Sequence, residues 1–410
     1  MKRALLAVLL AVPLTPRTAS GDVVTDWNVT ALAVAAPASS QATNRVMAIT
    51  HAAIFDAVNA VTRTHTPYLI QPRAPVGASQ DAAAAAAAYG VLTWLYPAQK
   101  AALDVALKSS LGKVPDGAAK TDGIDVGRQV AEKYVAVRTG DGADRKVDYT
   151  AGATAGRWRP TPPAMEPFVS ALWADVTPFA LRSATEVSAP GPLPVDGEQY
   201  AREIDEVRRV GARDSKERTA DQTAAAIFSL IKGNELWSSA ARAAAAAKGT
   251  SVIENARIFA LLNIAMMDAT IAGWAIKKQH GMWRPITAIR EAAVNPDPRW
   301  EPLLITPSHP DYVAGHGVNS GSAARALTLL FDGDGAPFSA TFGGGFGLTR
   351  AYSGFAQAEK EIVNARVWAG IHTRTADVHG AMVGHQIAEL VVQRLMRPVA
   401  QVERTVKQPG

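Results

Sequence analysis

With 410 residues, 48% of them hydrophobic, the chain is long enough to bury a sizeable core, either as two domains or as one large helical one. It has no cysteine, which excludes disulfides, thiolate metal sites and cysteine nucleophiles. A formal charge of +5 without any long basic stretch lacks the electrostatic footprint of a nucleic-acid binder.

The first element is Met1-Lys2-Arg3, an apolar run from Ala4 to Val12, then Pro13, Pro16 and the small residues Thr18, Ala19 and Ser20. This predicts a signal peptide over residues 1–20, cleaved near Ser20–Gly21, and hence a secreted or periplasmic protein. The run is too short to span a bilayer. Cleavage leaves 39 basic and 37 acidic side chains, a charge of +2.

Residues 21–140 read as an N-terminal helical region. Val46, Met47, Ile49, Ile54, Phe55, Val58 and Val61 give Asn44–Val61 the spacing of a helix with a wide buried stripe. An alanine run covers Ala82–Ala88, Pro97 opens a helix to Leu111, and Val126–Val137 repeats the pattern. The alanine tracts here and at Ala243–Ala247 point to close helix packing.

From 141 to 194 the chain becomes a Pro-rich crossover containing Arg157-Trp158-Arg159-Pro160 and Pro190-Gly191-Pro192. Its tryptophans and arginines either line a substrate mouth or belong to an ordered loop packed over a bundle. Residues 195–400 form a second helical region, expected to be catalytic, and 401–410 a C-terminal tail. Strand signals are sparse, so the fold class is all-α, a large helical bundle. The apolar stretch Ile258–Ile276 is interrupted by Asn263 and Asp268, which predicts a buried core helix and no integral membrane segment in the mature chain.

Three elements then carry chemistry. Lys277 and Arg284 lie seven apart at the end of that core helix, where Gly281 and Pro285 predict a break that folds Arg284 back toward Lys277. Alone, such a pair more often marks a solvated face. Gly315 and His316 stand at a helix entrance, whose unpaired backbone N–H groups suit an anion and where Gly315 permits close approach. A lone His316 would read as a cap or a packed imidazole. Arg366 and His372, six apart, would diverge by about 120° on a straight helix. Gly370 predicts the stop that returns His372 toward Arg366, with Arg374 a neighbouring surface residue. Three cations and two histidines together form a cage for a tetrahedral oxyanion.

The ordered pattern Lys277-x6-Arg284-Pro285, Gly315-His316, Arg366-x5-His372 resembles the superfamily of vanadium-dependent haloperoxidases and type 2 phosphatidic acid phosphatases. The stretches from Asp22 to Asn28 and from His51 to Ala60 look like exported bacterial members of the haloperoxidase-like branch. The resemblance implies that Lys277, Arg284, Arg366 and the Gly315 backbone bind the oxygens of vanadate or phosphate. It implies that His372 bonds vanadium in a peroxidase or attacks phosphorus in a phosphatase, and that His316 is the acid–base group. Trp274 resembles an aromatic wall of some haloperoxidases, though an ordinary core tryptophan reads the same. His309 lies where the family tunes halide choice, but a loop histidine is the plainer reading.

Two departures stand out. The family often has Ser-Gly-His and Ser-Arg where this chain has Ala314-Gly315-His316 and Ala365-Arg366, which removes a hydroxyl worth on the order of 1 kcal/mol to a charged acceptor. The phosphatases commonly carry an aspartate four residues after the last histidine. Here Ala376 holds that place and Asp377 comes one later, which leaves the partner of His372 open and counts against a phosphatase.

The expected activity is vanadium-dependent oxidation of halide, bromide or iodide before chloride, by hydrogen peroxide. The alternatives are an exported acid phosphatase acting on phosphate esters through a phosphohistidine, with phosphate in place of vanadate, and a non-catalytic anion-binding protein. A homo-oligomer is compatible with all three. Zinc chemistry ranks lower, since His372, His379 and His385 lack His-Glu-x-x-His spacing. The Gly343–Gly347 loop lacks the lysine and hydroxyl of a phosphate-binding loop and reads as flexible.

Overall fold

The computed structural model describes residues 21–292, 295–343 and 347–399, so the signal segment and the 401–410 tail lie outside the described residues, as does most of the Gly343–Gly347 loop. The N-terminal region holds α1 (Val23–Ala35), α2 (Ser40–Thr62), α3 (Gln80–Leu95), α4 (Lys100–Gly112) and α5 (Ala118–Arg138). After the crossover come α6 (Glu198–Val210), α7 (Ala220–Phe228), α8 (Gly233–Lys248), α9 (Val252–His280) and α10 (Pro285–Arg290). The last three helices are α11 (Gly315–Phe331), α12 (Phe355–Trp368) and α13 (Arg374–Arg394). The architecture is mostly helical, as the periodicity predicts.

Several starts are written locally. Asp22 accepts from Thr25 N at 2.9 Å, Ser39 from Ala42 N at 3.2 Å, and Thr219 with Gln222 closes a reciprocal capping box on α7. The alanine run becomes the buried face of α3, which packs on α5 and α2. Small side chains let the helix axes approach, as expected for such tracts.

The α9 helix is the axis of the molecule. Every residue from Ile258 to Trp274 is buried, although the helix is long and apolar enough to cross a membrane. Its two polar interruptions are satisfied inside the protein. Asn263 donates to Phe259 O at 2.8 Å and accepts from Asn234 at 3.2 Å. Asp268 accepts backbone N–H bonds from Phe179 and Ala180 at 2.7 Å and from Leu181 at 2.9 Å. The crossover is thereby pinned to α9. A helix with a polar group at each such point holds other chain segments, which lipid would not supply.

The crossover is an ordered loop with a 3₁₀ turn at Val169–Asp175. It passes over the break between α9 and α10, where Trp158 N donates to Gly281 O at 2.7 Å and Trp283 N to Gly156 O at 3.0 Å. Trp158 is buried among Tyr149 and Phe168, Arg157 donates to His280 O, and Arg159 pairs with Glu291. These side chains brace the loop.

One short hairpin, unanticipated from sequence, joins α11 to α12. Strands β1 (Phe338–Phe342) and β2 (Leu348–Tyr352) pair antiparallel with Phe338 opposite Tyr352 and Phe342 opposite Leu348. Phe338 and Tyr352 face the core against Phe228. Helices α11 and α13 approach tightly: a Cβ on Gly384 would stand 2.3 Å from Val318 O, so only glycine permits that approach. This contact sets the α11 entrance beside the start of α13.

Candidate active site at the break of the core helix

The site is assembled by three chain breaks. Gly281, at φ +55, caps α9 with its N–H on Lys277 O at 2.9 Å, and the chain turns so that Arg284 becomes the N-cap of α10, with Pro285 following. Gly315 opens α11. Gly370, at φ +80, follows the end of α12 and reverses the chain, bringing Ile371 and His372 back over Arg366. Lys277, Arg284, Arg366 and His372 are all buried, whereas His316 is half-buried.

Two of the cations hold the loop that carries the histidines. Lys277 Nζ donates to Pro310 O at 2.6 Å and Asp311 O at 3.1 Å. Arg284 donates through Nε to His309 O at 2.6 Å, through Nη1 to Ile371 O at 2.5 Å, and through Nη2 to Pro307 O at 3.2 Å. Arg284 thus ties the 307–311 loop to the His372 turn. Burial pushes the Lys277 ammonium well below the usual lysine range, and the neighbouring Arg284 charge adds to it.

His372 is held from two sides. Its Nδ1 lies 2.6 Å from Asp311 Oδ1, and its Nε2 lies 3.1 Å from Arg284 Nη1. A guanidinium only donates, so Nε2 is the acceptor and the ring proton sits on Nδ1, facing the carboxylate. Asp311 is fixed in turn by Thr373, whose hydroxyl donates to Oδ2 at 2.7 Å. Burial raises the Asp311 carboxyl to about 6 against the opposing pull of Arg284. Burial, reinforced by Arg284, holds the His372 imidazole well below its ordinary range, consistent with the neutral tautomer.

At the α11 entrance Gly315 has a specific steric cause. A Cβ there would stand 2.9 Å from Trp274 Cη2, so the indole and the helix start occupy adjoining space only with glycine. Trp274 is itself anchored through Nε1 to Ser170 Oγ at 3.2 Å. His316 is held well below the ordinary histidine range by burial and then by the Arg366 charge, with the Ser229 backbone carbonyl at its ring opposing the shift. Arg366 Nη1 donates to Ser229 Oγ at 2.8 Å, while its buried Nε has no hydrogen-bond partner among the described residues.

These groups border a cavity of about 90 Å³. His372, His316, Gly315, Arg366, His309 and Trp274 line it together with Ser40, Gln41 and Asn44 of α2 and with Thr270 and Asn319. Lys277 and Arg284 are not in the wall but stand behind it, bound to carbonyls. His309 packs tilted against Trp274 and His372, at 5.5 and 6.3 Å between ring centroids, and lines the cavity with them. Arg374 pairs with Glu206 away from the cavity.

The electrostatic balance favours an anion. Lys277, Arg284 and Arg366 face two buried carboxylates, Asp311 and Asp377. Burial raises Asp377 well above the usual carboxylate range, and neither of its oxygens has a hydrogen-bond partner among the described residues. Burial also pushes Arg284 and Arg366 down to about 10. A bound oxyanion would relieve this cationic excess and supply an acceptor for the unpaired Arg366 N–H.

Comparison with known proteins agrees with that chemistry. Residues 257–401 match the family model for the VCPO second helical-bundle domain. The whole fold is similar to the crystal structure of a bacterial vanadium-dependent iodoperoxidase, at a TM-score of 0.78 and 26% identity over 91% of this chain and 95% of that one. The domain match and the shared fold together support the vanadium haloperoxidase superfamily. Two bacterial vanadium-dependent chloroperoxidase structures share the fold at 19% identity: the apo form with a TM-score of 0.73 over 86% of this chain and 92% of that one, the holo form with 0.69 over 96% and 95%. A search of curated proteins gave no match.

The donor set here suits vanadate: an imidazole nitrogen, His372 Nε2, that faces only the Arg284 guanidinium, a helix entrance and a surplus of buried cations. Asp311 supplies the partner of His372 that the sequence leaves open, so the shifted Asp377 does not disorient it. Sequence reasoning gives no role to Asp311, although it stands between His309 and His316 in the very segment singled out. Nor does it find Asn44, from the helix α2, or Ser229, from the turn that follows α7, both remote in sequence.

Proposed function

We propose that this chain is a vanadium-dependent haloperoxidase that oxidises bromide or iodide with hydrogen peroxide, and that residues 1–20 direct its export. The observation that carries the reading is the buried His372, whose Nδ1 is held by the Asp311 carboxylate and whose Nε2 faces the Arg284 guanidinium. Similarity to an iodoperoxidase at 26% identity supports the more easily oxidised halides.

His372 Nε2 would hold vanadate, with Arg366 and the Gly315 backbone N–H on its oxygens and Lys277 and Arg284 supplying positive potential from behind. When bound, vanadate supplies a Lewis-acidic centre that activates peroxide. His316 stays neutral near pH 7 because burial and Arg366 disfavour its charged form, so it can take a proton from incoming peroxide and return it. Trp274 and His309 add aromatic surface to the cavity lining. Reconstitution with vanadate, followed by assay of halide oxidation and phosphate-ester hydrolysis, tests the activity. N-terminal sequencing of exported protein, expected to begin near Gly21, tests the leader.

A further inference from the structure

The cavity wall contributed by the N-terminal region contains a buried amide network. Asn44 Nδ2, on α2, donates to Thr270 Oγ1 of α9 and to Asn319 Oδ1 of α11, both at 2.6 Å. Asn319 Nδ2 donates to Gly315 O at 3.2 Å and to Thr270 Oγ1 at 3.3 Å. Thr270 in turn donates to Met266 O at 2.9 Å.

The orientation of both amides follows from one carbonyl. Gly315 O only accepts, so the Asn319 atom facing it is Nδ2 and the atom facing Asn44 is Oδ1. Asn44 must then present Nδ2 to Asn319, and both its N–H bonds are used. The polar atom of this cavity-lining residue left for a ligand is therefore the carbonyl oxygen Oδ1.

An amide oxygen accepts and cannot donate. It attracts an O–H group and repels a halide or a fully ionised oxygen. The same cavity is lined by the Arg366 guanidinium and the α11 entrance, so it combines this acceptor with cationic and N–H donors. We propose that Asn44 is a binding residue of this site, whose Oδ1 accepts an O–H from a protonated oxygen ligand: a protonated oxyanion or hydrogen peroxide. The inference rests on the oxyanion-site reading given above. It makes α2 part of the active site, although the family model begins only at residue 257.

Inorganic phosphate, which keeps at least one O–H near neutral pH, and sulfate, a tetrahedral anion that carries none, are the probes, each titrated calorimetrically into the full chain at one pH. Asn44→Leu is expected to weaken phosphate binding about fivefold to tenfold more than sulfate binding. Working at a single pH holds the titration of the protein's own groups constant. An equal loss for both anions, or no loss, would mean that Asn44 only braces Asn319 and would overturn the proposal. Should Asn44→Leu fail to fold, Asn44→Ala reads the same ratio. His372→Ala separates the two levels. Loss of phosphate and vanadate in that variant, with no phosphate-selective loss in the Asn44 variants, overturns the Asn44 role alone. Unchanged anion binding in His372→Ala overturns the site reading as well.

Discussion

Asp311 Oδ1 lies 2.6 Å from His372 Nδ1, and this contact determines which nitrogen of His372 is available to a ligand. Asp311→Leu removes the acceptor and frees the ring to change tautomer. Vanadate affinity is expected to fall about tenfold to a hundredfold, the usual effect of losing the carboxylate behind a metal-bound histidine. Asp311→Asn keeps an acceptor oxygen and is expected to lose less. Titration of both variants with vanadate checks the order; equal affinities would contradict it.

Arg284 and Arg366 are predicted to separate in their effects. Arg284 satisfies carbonyls of Pro307, His309 and Ile371, so Arg284→Met leaves buried acceptors without donors, at about 1–3 kcal/mol each. Arg366 contacts Ser229 and retains an unpaired Nε at the cavity wall. Arg366→Met is therefore expected to reduce anion affinity more than stability. Denaturant melts paired with vanadate titration distinguish the two, and a reversed pattern would contradict these roles.

His51 gives the fold an acid sensitivity remote from the cavity. Burial, with Arg242 adding to it, holds its imidazole down to about 3. Below about pH 6.5 the unfolded chain takes up this proton and the folded chain does not, so stability is fully present above that pH and falls toward pH 3 by up to about 1.4 kcal/mol per pH unit. His51→Leu should flatten this limb. Urea midpoints from neutral pH to about pH 4 check it, and an unchanged acid slope would assign the sensitivity elsewhere.

Much of the site is legible in the sequence because glycine and proline punctuate it. Gly281, Pro285 and Gly370 mark the turns that bring Lys277, Arg284 and Arg366 near His372, and local backbone rules suffice to see them. The Asp311 contact spans 61 residues, and Asn44 reaches Thr270 and Asn319 across 226 and 275. No periodicity encodes such pairings; they arise from packing α2 against α9 and α11. The same limit hides the second position of Lys277 and Arg284, behind the wall rather than in it, since only the fold reveals the carbonyls that hold them. The β1–β2 hairpin escapes because five-residue strands in a helical chain give too short an alternation to stand out.

The most direct test of the central claim is the activity of purified protein loaded with vanadate, assayed for peroxide-dependent oxidation of iodide and bromide and, without vanadate, for phosphate-ester hydrolysis. Halide oxidation that requires vanadate, is suppressed by excess phosphate and disappears in His372→Ala is the expected result. Hydrolysis without any halide oxidation, or full turnover in His372→Ala, would contradict it.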